Sequence, residues 1–379
     1  MSDAFEVVSS AISLYPRWGG PGTGQKAISN MLSPVAMASL RVETDSKVPP
    51  DDDDPADGLL LNHQAALLAT ITGLPSKTRT AKKKKAAAPA FAWPAKGLDP
   101  RLLRCESFVR ESMLADEISD RLTFGALVQP RAALLASAGT SLIELVIPSP
   151  DTIARQAQIV RQRATDRNLK LVASSRAVLH LQQLDAQHLD PLHPLAIALG
   201  ISPETHPRTF EAIAGACSTL APKLFRMKHS LGVERPHRLE PGIVPMMTVP
   251  GHLSYPGGHA AKCFMAALIL FVLAAPQSAK PFDLLAILGK IALTVSNNRV
   301  KAGLHYPMDT QAGRLLGLAT AVWLLSAVDP AFAVTGVRLE SDLDAKKKPR
   351  YTFTPLKPVT PPDLPLWKQM FLAAAAEWN

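Results

Sequence analysis

Cysteine and aromatic side chains are scarce in this sequence, and no uninterrupted apolar run reaches the length of a bilayer. Of 379 residues only 3 are cysteine, and Cys105, Cys217 and Cys263 stand far apart with no metal-ligand spacing. That argues against a disulfide-built scaffold or a thiolate metal centre and leaves buried free thiols. Aromatic residues make up 6% and charged residues 19%, against 47% hydrophobic, a balance suited to a helical core rich in Ala and Leu. The opening Met1-Ser2-Asp3-Ala4-Phe5-Glu6 lacks the basic and apolar regions of a signal peptide, so a cytoplasmic location is expected. The most apolar runs, Phe264 to Ala275 and Leu315 to Val328, are nearer a dozen residues than the roughly 20 that span a bilayer. They read as buried core helices, and no membrane span is expected. No internal repeat is visible.

The formal net charge is +9, which suits acidic small substrates, an anionic surface or nucleic acid. Much of the excess lies in the runs Lys82 to Lys85 and Lys346 to Lys348. Neither sits on a helix or sheet face that would array the charges, so they read as solvated segments and no nucleic-acid partner is expected.

Residues 1–97 read as an irregular N-terminal region, with an acidic turn after Pro49-Pro50 and a Lys-, Ala- and Pro-rich linker from Ser76 to Ala90. Residues 98–335 read as one helical domain, and 336–379 as a C-terminal surface segment. Helical spacing of apolar residues runs from Leu102 to Leu127 and again from Thr152 to Leu189. Ala132 to Ile147 is mostly apolar and ends at Pro148-Ser149-Pro150-Asp151, where Asp151 offers an N-cap. Further helices are expected over Phe210 to Met227, His259 to Ala275, Phe282 to Asn297 and Asp309 to Val328. Between Arg235 and Tyr255 the prolines 236, 241, 245 and 250 forbid a helix and predict a stiff, extended loop. After Pro330 the chain reads as irregular, with a last amphipathic patch from Leu366 to Trp378.

Three groups of polar residues stand out between Lys228 and Asp309. The first is Lys228-His229-Ser230-Leu231-Gly232-Val233-Glu234-Arg235-Pro236 and the second is Tyr255-Pro256-Gly257-Gly258-His259-Ala260. The third runs from Asn298-Arg299 through His305 to Asp309. Together they supply cations, two imidazoles, a carboxylate and a glycine pair that opens an apolar helix. Cations converging on one point need an anion there, and a tetrahedral oxyanion satisfies them. A helix that starts at Gly258-His259 has free backbone N–H groups to face it, and the glycines let the backbone approach closely. Asp309, four residues after His305, is near enough to accept a hydrogen bond from one ring nitrogen.

The set resembles the superfamily of type 2 phosphatidic acid phosphatases and vanadium haloperoxidases. Its pattern is Lys-x6-Arg-Pro, then Pro-Ser-Gly-His, then Ser-Arg-x5-His-x3-Asp. Lys228 and Arg235-Pro236 fit the first element, Gly258-His259 the second, and Arg299, His305 and Asp309 the third. Gly257 and Asn298 depart from it, each standing where the family usually has Ser. The resemblance implies an all-α helical bundle around one oxyanion site. It implies a metal-independent phosphatase acting on a small phosphate ester without a cofactor. His305 would be the nucleophile that becomes phosphohistidine, Asp309 its orienting partner, and His259 the acid and base. Lys228, Arg235, Arg299 and the Gly258 backbone would hold the equatorial oxygens.

Two alternatives stay open at the level of sequence. In a vanadium-dependent haloperoxidase the same pocket holds vanadate, with His305 as its ligand and His252 assisting halide oxidation. A non-catalytic anion-binding protein would rest on the two departures. Because Gly257 lacks the hydroxyl that relatives aim at the anion, Gly257→Ser is expected to tighten anion binding unless the backbone there is strained.

Overall fold

The computed structural model describes residues 98–126, 130–136, 139–172, 192–278, 281–330 and 332–378. The expected irregular region 1–97, the Lys82 to Lys85 run within it, and the end of the Thr152 to Leu189 stretch, from residue 173 on, lie outside the described residues.

The chain opens with α1 (Pro100–Leu103), α2 (Ser107–Arg121), β1 (Thr123–Ala126), β2 (Arg131–Leu135) and β3 (Ser141–Val146). Six helices follow: α3 (Pro150–Val172), α4 (His193–Leu199), α5 (Pro207–Leu231), α6 (Pro236–Leu239), α7 (Gly258–Ala274) and α8 (Pro281–Lys301). The chain closes with α9 (Pro307–Val328), β4 (Val334–Leu343), β5 (Pro349–Val359) and α10 (Pro365–Ala375). Proline is the first residue of α3, α5, α8, α9 and α10, where its missing N–H costs nothing and its fixed φ suits the first turn. At the other end of α5, Gly232 turns left-handed at φ 66° and its N–H bonds the Lys228 carbonyl at 3.0 Å. This stop leaves Lys228 in the last turn, facing inward.

The all-α expectation is wrong. About 60% of the described residues are helical, but they also form a five-stranded mixed sheet in the order β1-β2-β3-β4-β5. Neighbouring strands are antiparallel except β3 and β4, which run parallel with Ile143 opposite Val337. The helical pattern from Leu102 to Leu127 breaks at Arg121, and residues 123–126 form β1 instead. The apolar stretch Ala132 to Ile147 is β2 and β3, both buried along most of their length. A short apolar run looks alike as a buried strand or a buried helix turn, so periodicity does not separate them. Nor do residues 336–379 simply cover the surface. They supply most of β4, all of β5 and α10, whose Trp367 is fully buried and donates its indole N–H to the Leu324 carbonyl at 2.7 Å. The outer strand β5 carries Pro355 and Pro358, which remove donors and discourage edge-to-edge pairing.

Carboxylates tie the ends of several helices together. Glu117 on α2 accepts the N–H groups of Leu366 and Trp367 at the start of α10, at 2.8 and 2.9 Å. Glu377 does the same for Arg208 and Thr209 at the start of α5, at 2.7 and 2.9 Å. Arg110 of α2 reaches Glu211 of α5 in a buried ion pair at 2.5 Å. Anions at helix N-termini satisfy orphan donors and complement the helix dipole.

The core lies where α7 and α9 cross. Both helices are longer than the apolar runs suggested: Gly258–Gln277 spans 20 residues including a terminal 3-10 turn, and Pro307–Val328 spans 22. Each is long and apolar enough to cross a membrane by length and composition, yet 83% and 89% of their most apolar windows are buried against the protein. Their contact is backbone on backbone. A Cβ on Gly313 would lie 2.1 Å from the Gly257 carbonyl oxygen, and one on Gly317 would lie 2.2 Å from that of Ala261. The Gly-x3-Gly spacing therefore sets how closely the two helices approach. Gly317→Ala is expected to push them apart at a cost of about 1–3 kcal/mol, as overpacked cores do; a lowered thermal midpoint checks it.

Candidate active site

The three polar groups meet at the N-terminal ends of α7 and α9 and the C-terminal ends of α5 and α8. A small pocket there is lined by Gly257, His259, Ala260, Ser296, Arg299, His305 and Thr310. Each position follows from local structure. His259 is the second residue of α7, after the N-cap Gly257. Arg299 lies in the last turn of α8, and its side chain is buried. His305 occupies the short turn between α8 and α9, with Asp309 in the first turn of α9.

Asp309 organises this corner. Its Oδ2 accepts from His305 Nδ1 at 2.7 Å, from the Tyr306 backbone N–H at 3.0 Å, and from the Ser254 hydroxyl. Its main-chain carbonyl accepts the Gly257 N–H at 2.9 Å. Its other carboxylate oxygen is buried and, among the described residues, accepts no hydrogen bond. Burial outweighs the favourable partners, chiefly the charge of Lys228, and lifts the carboxyl to about 6.

His305 is pulled the other way. Burial, followed by the positive charges of Lys228, Arg235 and Arg299, holds its pKa well below the usual 6.5. A neutral imidazole carries one ring proton, and the contact with Asp309 places it on Nδ1. Nε2 is then left with a free lone pair near neutral pH.

The remaining cations stand behind the pocket instead of lining it. Lys228 donates from Nζ to the carbonyls of Ser254, at 2.5 Å, and of Pro256. Arg235 donates from Nε to the His252 carbonyl at 2.9 Å and from a terminal nitrogen to the Leu304 carbonyl at 2.8 Å. Both pin the proline-rich loop and the His305 turn by their backbones, which is how that loop is held stiff. Burial lowers both pKa values, that of Lys228 to about 7. His252 is half-buried between Arg235, whose guanidinium lies 3.2 Å from its Nδ1, and the ring of Phe225. Burial lowers its pKa too. Gly258 is the first residue of α7 but does not line the pocket.

Of the residues picked from sequence, the structure gathers His259, Arg299 and His305 on one pocket, with Asp309 directly behind His305. Lys228 and Arg235, both buried, and the half-buried His252 form an adjoining cluster. Sequence reading missed Ser254, Ser296 and Thr310. Ser254 has no spacing signal, since its loop is irregular. Thr310 simply follows Asp309 by one residue.

Imidazoles and a guanidinium gathered beside a helix N-terminus are groups that can hold a tetrahedral oxyanion. Residues 210–332 match the family model of the PAP2 superfamily, a match that supports an enzyme of the phosphoester-hydrolase type in general. No curated protein matches the chain.

The geometry at Gly257 reverses the expectation for Gly257→Ser. Its φ of −73° and ψ of 113° suit any residue, so backbone strain is not the obstacle. A Cβ there would lie 2.8 Å from the carbonyl oxygen of Asp309 and 3.1 Å from its carbon. The substitution is expected to displace Asp309, lower the thermal midpoint and weaken anion binding. Melting curves and phosphate titration of the variant check both effects.

Proposed function

We propose that this chain is a metal-independent phosphatase that hydrolyses small phosphomonoesters through a phosphohistidine at His305. The observation that carries the reading is the buried His305–Asp309 pair at 2.7 Å, on the same pocket as His259 and Arg299. The His305 Nε2 lone pair attacks phosphorus while the ester P–O bond breaks, and protonated His259 gives its proton to the leaving alkoxide. The imidazolium that forms at His305 is stabilised by the Asp309 carboxylate. Neutral His259 then takes a proton from water, whose oxygen attacks phosphorus and breaks the P–N bond, releasing phosphate and restoring His305. Arg299 stabilises charge on the equatorial oxygens from the pocket wall. Lys228 and Arg235 contribute positive potential and hold the loop.

Purified protein is expected to hydrolyse an activated phosphomonoester at a rate that a divalent-metal chelator leaves intact. His305→Ala should abolish turnover while circular dichroism shows the helices retained, because no other side chain takes the phosphoryl group. Activity retained in a folded His305→Ala protein would sink the phosphohistidine route.

The placement of His252 favours a second reading, a vanadium-dependent haloperoxidase. Its Nδ1 lies 3.2 Å from the guanidinium of Arg235, which also holds the Leu304 carbonyl next to His305. The residues fit vanadate: His305 Nε2 would ligate it, and Arg299 would neutralise its oxygens. Bound vanadate would supply peroxide activation. A single titration separates the two readings. The phosphatase is inhibited by vanadate, which mimics the five-coordinate transition state. A haloperoxidase halogenates an acceptor when vanadate, peroxide and bromide are added, and loses this in His252→Ala.

A further inference from the structure

Gly257 lines the pocket without a hydroxyl, and a side chain in its place would meet the Asp309 carbonyl. From the structure we infer that Thr310 supplies the missing donor: its hydroxyl hydrogen-bonds an equatorial oxygen of the tetrahedral oxyanion in the His259–Arg299–His305 pocket. The inference rests on the oxyanion reading of that pocket and adds to it a binding residue outside the motifs.

Two hydroxyl side chains line the pocket, those of Ser296 and Thr310. A hydroxyl has one proton to give, and that of Ser296 goes to the Ala292 carbonyl one turn back in α8, at 2.7 Å. Thr310 differs. The residue is only 3% exposed, yet among the described residues its hydroxyl has no hydrogen-bond partner. Nor is it sealed away. The hydroxyl of Thr320, ten residues on in the same helix, is both enclosed and unbonded, whereas that of Thr310 is open to the pocket. A threonine inside a helix ordinarily returns its proton to a carbonyl one turn back, and here it does not. A buried hydroxyl without a partner is costly unless a ligand or water completes it.

Its neighbour in sequence strengthens the case. Asp309 holds His305 by the side chain and Gly257 by the carbonyl, so the turn of α9 that carries Thr310 is fixed to both other walls of the pocket. A donor mounted there keeps its place relative to the His305 ring. Gly257 can therefore lie flat against Asp309, allowing the close crossing of α7 and α9, while the hydroxyl comes from the opposite helix.

Calorimetric titration of the full chain with orthophosphate and with orthovanadate tests the inference without relying on turnover. Thr310→Val keeps the shape and removes the donor, so it should weaken both anions about tenfold or more, the usual size for a hydrogen bond to a charged group. Thr310→Ser keeps the donor and should retain most of the affinity. Should Val lower the thermal midpoint, the Ser and Ala variants at 310, which differ only by the hydroxyl, give the same comparison. Equal binding by wild type and Thr310→Val, or by the Ser and Ala variants, overturns the role of Thr310 and leaves the pocket standing. Failure of the wild type to bind either anion overturns the oxyanion pocket and this inference with it.

Discussion

Asp309 joins the parts of this site through both its side chain and its backbone. Its carboxylate fixes the His305 ring, the Tyr306 amide and the Ser254 hydroxyl, while its carbonyl takes the amide that precedes α7. The loop before α7 and the turn before α9, about fifty residues apart in sequence, thus converge on one fully buried residue. Such a carboxylate is tolerated because donors surround one oxygen and the cations Lys228 and Arg235 lie near. The raised pKa records what burial still costs, since the second oxygen has no donor among the described residues.

The same economy governs the two cations. Lys228 and Arg235 are nearly inaccessible, and their charges are met by main-chain carbonyls of the proline-rich loop and the His305 turn. Prolines there cannot donate hydrogen bonds, so the loop has surplus acceptors, and the cations satisfy them. One set of contacts therefore gives the loop its shape and keeps positive potential beside the pocket. The apolar crossing of α7 and α9 lies just beneath, close enough that Gly313 meets the carbonyl of Gly257 itself.

Much of the site was legible in the sequence because its chemistry needs particular residue types at helix ends. Glycine, histidine and aspartate at fixed offsets announce a helix start and an orienting pair, and His259, His305 and Asp309 stand there. What the sequence did not convey is long-range. The β3–β4 pairing brings Glu144 to Arg338, 194 residues away, in an ion pair at 2.8 Å, and no local period signals such a partner. β2 and β3 are too short and too uniformly apolar to show alternation. The roles of Ser254 and Thr310 depend on which carbonyls and pockets lie opposite them, which only the packed chain specifies. The Gly313–Gly317 spacing was present in the sequence, but its meaning depends on the helix that lies against it.

That parallel pairing also orders events during synthesis. When β3 emerges, its second edge has no partner until β4 follows at residue 334, after all the helices that build the pocket. At ribosomal speeds of about 5–20 residues per second, the gap lasts on the order of ten seconds or more. Through that interval an apolar strand edge stands open in a partly folded chain, the kind of template on which nascent proteins aggregate.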